Sequence, residues 1–242
     1  MTEAEWLPCT DPLKMLDYLR CRLGKEDRKL RLFACALLRA YLWEFLTDKR
    51  SRRAVAVSER YGDGIATEKE LAAARRNAKA AHRSLAKPDQ AVTAPLTKML
   101  AAGCAAAVAV KRGADAAQIW YGARLLVPGK GPDNPADLGR CGYISEIMGR
   151  RSNPRGCELL REIIGNPFRP VVVDPSWLTW QDATVKKLAQ GIYHERTFDR
   201  LPILADALEE AGCTDADILS HCRGPGPHVR GCFVVDLCLG LS

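Results

Sequence analysis

The chain has little that would mark it as exported, membrane-bound or catalytic. Its first residues, Met1-Thr2-Glu3-Ala4-Glu5-Trp6, are acidic and carry neither a basic n-region nor an apolar h-region, so the expectation is a chain without a signal peptide. Its longest small-residue apolar run, Ala101 to Val110, contains Gly103 and is too short to span a bilayer. Both features point to a cytoplasmic protein with no membrane partner. There is no Cys-x-x-Cys, no heptad, no repeat period and no Walker pattern around Gly129-Lys130-Gly131. Asp206, Glu209 and Glu210 form an acidic helix face without the asymmetry of an acid–base pair.

What is present is the make-up of an ordinary folded protein. Hydrophobic residues make up 47% of the 242 and charged residues 27%, which excludes wholesale disorder. The length allows one large domain or two small ones. A net charge of +7 gives a mild attraction to acidic partners and is no nucleic-acid signature by itself. Ten cysteines are many for this length; in a reducing compartment they are expected as free thiols, with Cys35 and Cys238 acting as small buried hydrophobes.

The pattern is helical nearly throughout. Asp11-Pro12 opens a first helix that Gly24 ends, and a long apolar stripe follows through Leu30, Phe33, Leu37, Tyr41 and Phe45. Asp48 opens a basic helix to Tyr61, and Thr67 with Glu70 makes a capping box. An Ala-rich hairpin with a thin core is expected over 67–126, interrupted at Pro88 and restarted at Pro95. Residues 127–142 are loop, rich in proline and glycine.

From 143 to 242 the signals are denser. A short helix covers Cys157 to Ile164, Asn166 to Pro170 is a rigid turn, and Val171-Val172-Val173 is a strand-like run. Asp174-Pro175 opens a helix with Trp177 and Trp180 as core or staple residues, and Val185, Leu188, Ala189 and Ile192 mark another. Asp199 is expected to cap Leu201 to Ala211, and Thr214 with Asp217 to cap a helix ending at His221. After the Gly224-Pro225-Gly226-Pro227 turn comes an apolar helix, Val229 to Leu239. The reading is a mainly α protein, a multi-helix bundle or array with at most one or two short strands near 170–173. Its N-terminal helical region (1–126) and C-terminal region (143–242) could pack as one domain.

Two constellations could carry function. Cys213, His221, Cys222, His228 and Cys232 put five soft or imidazole ligands within twenty residues around the Gly-Pro-Gly-Pro turn. Zinc needs four such groups converging at about 2.0–2.3 Å. The spacing matches no standard zinc pattern, and the bland alternative is a helical corner with buried thiols and hydrogen-bonded histidines. A Cys–His nucleophile pair from the same residues lacks a visible orienting group. The second constellation is a basic column: Arg75, Lys79, Arg83 and Lys87 recur every fourth residue, with Arg76 beside them. Such a stripe repels itself unless an acidic protein or a nucleic-acid backbone faces it, and the helix has no aromatics for base stacking.

Several long phrases carry a resemblance. They are Gly165-Asn166-Pro167-Phe168-Arg169-Pro170, Asp174-Pro175-Ser176-Trp177, Phe198 to Leu208, and His221-Cys222-Arg223-Gly224-Pro225-Gly226-Pro227-His228-Val229-Arg230-Gly231-Cys232, with Trp6 to Pro12 and Asp27 to Ala34 near the start. Over somewhat more than half its length the chain resembles an uncharacterised bacterial family abundant as paralogues in planctomycete genomes. The resemblance implies no particular activity, fold or cofactor. The lack of a catalytic constellation and a paralogue-rich family point to a non-enzymatic interaction or regulatory module with a protein partner. A zinc-binding or thiol-redox-sensing domain centred on 213–232 and a nucleic-acid-associated protein are the alternatives.

Overall fold

Capping carboxylates set where the helices begin. Asp11 accepts from the Leu13 N–H at 3.0 Å, Asp48 from Arg50 at 2.8 Å, Asp174 from Ser176 at 2.8 Å, and Asp215 from Asp217 at 2.9 Å and Ile218 at 3.1 Å. Each satisfies an amide that has no partner in the first helical turn. The computed structural model describes residues 1–20, 22, 28–85, 105, 106, 109 and 154–241. Among them the fold is mainly α: α1 (Glu3–Trp6), α2 (Pro12–Arg20), α3 (Arg28–Leu37), α4 (Lys49–Gly62), α5 (Glu68–Leu85), α6 (Pro154–Ile164), α7 (Pro175–Glu195), α8 (Leu201–Glu210), α9 (Ala216–Arg223) and α10 (Phe233–Leu239). No strand occurs among the described residues, and no described helix is long and apolar enough to cross a membrane. The second arm of the Ala-rich hairpin, apart from residues 105, 106 and 109, and the 127–142 loop lie outside the described residues.

The chain divides into two compact units, one of Met1 and Pro8–Cys157, the other of Thr2–Leu7 and Glu158–Ser242. In the first, α4 lies between α3 and α5. Ala54 and Val57 of α4 meet Leu71, Ala74 and Ala78 of α5 in one cluster that also takes Ala106 and Ala109. The small side chains let the helices approach closely. The other edge of α4 meets α3 and the turn after it through polar links: the Cys35 thiol to the Val55 carbonyl at 3.9 Å, Arg31 to the Ser58 hydroxyl at 3.3 Å, and, from residue 39 just beyond α3, Arg39 to both oxygens of Glu59 at 2.7 and 2.9 Å. The apolar stripe from Phe33 to Phe45 is buried as its spacing predicts. Its helix does not run straight through: α3 passes into a π turn at Leu38–Leu42 and a 3-10 turn at Trp43–Phe45. The wider pitch still keeps Leu38, Tyr41 and Leu42 inward.

The second unit is built on one core. It joins Val185, Ala189 and Ile192 of α7, Leu204 and Leu208 of α8, Ile218 of α9 and Val234 and Val235 of α10. Trp6 is fully buried, and its carbonyl accepts from Arg161 at 2.8 Å. Four expectations are corrected here. Val171 to Val173 form no strand; with no partner strand alongside, Val172 is 80% exposed. Asp199 sits in a 3-10 turn, Phe198–Arg200, and does not cap α8, whose N-cap is Arg200. Asp215, not Thr214, caps α9. The last helix begins at Phe233 because residues 224–232 form the turn. The two helices expected around 175–192 are both present within α7, separated by the non-helical residues Trp180–Ala183.

Candidate metal centre

α6 presents an acid on its buried side. Leu159, Leu160 and Ile163 are buried, and so is Glu162, whose side chain is 2% exposed. A carboxylate in that position costs several kcal/mol unless paired. Its Oε1 accepts from the Val229 N–H at 3.2 Å. Its Oε2 lies 3.1 Å from Nε2 of His221 and 3.1 Å from Nδ1 of His228.

The two imidazoles reach this oxygen from either side of the corner. His221 closes the last turn of α9, and its Nε2 is also 3.3 Å from the sulfur of Cys232. Phe233 lies against the His221 ring, with centroids 4.5 Å apart. Phe233 can sit there because Gly165 ends α6 in the left-handed region (φ +73°); a Cβ on Gly165 would stand 3.1 Å from the Phe233 ring. His228 follows the turn. Gly226 (φ +89°) is needed there, since a Cβ at that position would lie 2.7 Å from the backbone nitrogen of His228. Cys232 is the N-cap of α10 and is fully buried.

The tautomers follow from the partners. Nε2 of His228 is 3.0 Å from the Gly224 carbonyl, which can only accept, so that nitrogen carries a proton. In the neutral ring Nδ1 is then a lone pair, and it points at a carboxylate oxygen. Two acceptors at that distance need a positive centre between them, either a second proton or a metal ion. Nε2 of His221 faces both an oxygen and a sulfur, and as an N–H it donates to the Glu162 oxygen. One ligand atom from each of Glu162, His221, His228 and Cys232 lies within 4.8 Å of all the others. Tetrahedral zinc with bonds of about 2.0–2.3 Å separates its ligand atoms by about 3.3–3.6 Å. Three pairs, at 3.1, 3.1 and 3.3 Å, already lie near this separation, and the others, within 4.8 Å, would close by up to about 1 Å.

Without a metal the cluster stores a proton. Burial opposes ionisation of Glu162, but hydrogen bonds from His221 and His228 outweigh it and hold the carboxyl below the usual range. Burial also opposes charging His228, yet Glu162 raises its pKa above the ordinary histidine value. Burial and then the Glu162 charge push the Cys232 thiol well up.

Of the five ligands expected from sequence, His221, His228 and Cys232 converge. Cys213 and Cys222 do not: both are buried in the apolar core of the unit with Cys238. Cys222 follows His221 directly, so helical geometry turns it about 100° away. Burial raises its pKa to about 12, as it does for Cys238. The missed ligand is Glu162. Its signal was an acid three residues after Leu159 and next to Ile163, on the stripe that α6 buries. The Cys–His nucleophile pair finds its distance in His221 and Cys232, but a fully buried thiol with a raised pKa is a poor nucleophile. In the basic column, Arg76, Lys79 and Arg83 are exposed on α5, Arg75 is half-buried, and Lys87 lies outside the described residues. No protein-family model matches the chain, and comparison with curated proteins and with solved structures finds no match.

Proposed function

We propose that the C-terminal unit is a metal-binding module in which Glu162, His221, His228 and Cys232 hold a divalent transition ion, zinc fitting best. The observation that carries this is the convergence of a buried carboxylate, two imidazoles and a thiol, with one ligand atom of each within 4.8 Å of the others. Mixed oxygen, nitrogen and sulfur ligands suit zinc or cobalt over magnesium or calcium. Two backbone contacts support it: the Gly224 carbonyl accepts from Nε2 of His228 and leaves Nδ1 for the ion, and the Val229 amide donates to Glu162 and orients it.

Four protein ligands close a tetrahedron and leave no position for substrate, which favours a structural or regulatory metal. The reading therefore keeps a non-enzymatic interaction or regulatory module and gives it a metal-stapled core. Three of the four ligands lie in the phrase from His221 to Cys232 that carries the resemblance to the planctomycete-expanded family. A free-standing thiol sensor has less support, because Cys213, Cys222 and Cys238 are buried with raised pKa values.

The test is metal analysis of purified protein beside a Cys232→Ser, His228→Ala double variant. The expected result is stoichiometric zinc in the wild type, lost in the variant, with chelation lowering the wild-type melting temperature alone. Metal-free wild type whose melting ignores both zinc and chelator would end the reading.

A further inference from the structure

The positive charge of this chain is concentrated in the α3–α5 layer. Residues 28–85 hold fourteen lysines and arginines against six acids, a net +8, while the whole chain is +7, so everything else together carries −1. Four of the six acids of this segment, Glu59, Asp63, Glu68 and Glu70, are held in ion pairs or lie at the loop end of the α4–α5 hairpin. Glu59 is held by Arg39 and Asp63 by Arg28, both side chains buried. Glu70 caps α5 and meets Arg60 at the loop end of the hairpin, where Glu68 also lies. Asp48 caps α4 and is gripped by Arg50.

α4 and α5 are joined by a short turn and pack along their length, so the start of α4 lies beside the end of α5. That end carries Lys49, Arg50, Arg52 and Arg53 on α4 and Arg76, Lys79 and Arg83 on α5, all exposed. The acids at that end are Asp48, which is paired with Arg50, and the exposed Glu44 just before it, two against seven cations. The cations there still exceed the acids by five, repel one another and are stabilised by a polyanion.

We propose that this end of the hairpin is a docking surface for a nucleic-acid duplex, contacted through its phosphates. Five of the seven cations are arginine, whose fork matches phosphate oxygens in pairs. No aromatic residue lies among them on α5, so bases are not stacked and the contact is to the backbone, independent of sequence. The proposal does not depend on the metal.

The experiment is a titration of fluorescent mixed-sequence duplex DNA with the full-length protein across a salt series, beside poly-glutamate as competitor. If about six phosphates are neutralised, affinity falls about 10³-fold between 50 and 200 mM salt. An Arg76→Gln, Lys79→Gln, Arg83→Gln variant is expected to flatten the log–log salt slope by about three. A Lys49→Gln, Arg53→Gln variant is expected to flatten it by about two, and gives a second reading should the first fold poorly. Both keep wild-type metal content. No binding at low salt, a slope unmoved by either variant, or poly-glutamate competing as well as duplex at equal charge would overturn the proposal, the last result assigning the surface to an acidic protein.

Discussion

At the scale of single residues, the cluster around Glu162 holds either protons or a metal, and the two states respond oppositely to pH. In metal-free protein, Glu162 has its pKa lowered from 4.5, so its contribution to stability is present above 4.5 and is lost as pH falls through the lower folded value. His228 has its pKa raised from 6.5, so its contribution is full below 6.5 and is lost as pH rises through the higher folded value. The groups facing these two are His221, Cys232 and the Gly224 carbonyl. Chelated protein is therefore expected to gain most from the cluster between these two values. Metal binding requires neutral imidazoles and a thiolate, so the melting difference between loaded and chelated protein should widen as pH rises from 6 to 8. Thermal melts with and without chelator across that range check this; a difference that shrinks with rising pH would count against it.

Legibility at this scale was uneven. His221, His228 and Cys232 stood out because His and Cys are scarce ligand types gathered at one turn. Glu162 lies 59 residues before His221, and an acid on a helix is common; only its place on an apolar stripe distinguished it. Cys213 and Cys222 were indistinguishable in type from Cys232. What separates them is which side of a helix or turn they leave from, and that is fixed by tertiary packing.

At the scale of elements, the caps were readable because capping is local: Asp11, Asp48, Thr67 with Glu70, and Asp174 act within three residues of themselves. Where two candidates stood side by side, as Thr214 and Asp215, the sequence pattern chose the wrong one. The α7 kink holds Gln181, Asp182 and Ala183 at positive φ, a conformation that costs an ordinary residue about 1–2 kcal/mol. Ala183→Gly is expected to stabilise the protein by about 1 kcal/mol, measured by urea denaturation. In the other direction, Gly165→Ala meets both a positive φ and the Phe233 ring. It is expected to cost about 2 kcal/mol. Because Phe233 abuts His221, it should also weaken metal binding, which a competition assay with a chromophoric chelator would detect.

At the scale of the whole molecule, two compact units put their polar groups to different use. The first buries Glu59 against Arg39, with side chains 3% and 28% exposed. Removing one partner of such a pair leaves a charge without its counterion. Glu59→Ala is expected to destabilise the protein by about 2–3 kcal/mol, after discounting for the partial exposure of Arg39. Denaturant unfolding of that variant checks the figure, and metal content should stay at the wild-type level. The mainly α class was legible from periodicity and caps along the whole chain. The division into units was not, because the second unit takes in Thr2–Leu7, an association between distant parts of the sequence that no local pattern encodes.

The central claim is that Glu162, His221, His228 and Cys232 converge to bind one metal ion. The most direct measurement is a cobalt(II) titration of chelator-treated protein followed by absorption. The account expects saturation at a single equivalent, with the intense visible bands of tetrahedral cobalt and a thiolate-to-cobalt charge-transfer band that disappears in Cys232→Ser. Weak octahedral bands without saturation, or a charge-transfer band that survives Cys232→Ser, would contradict it.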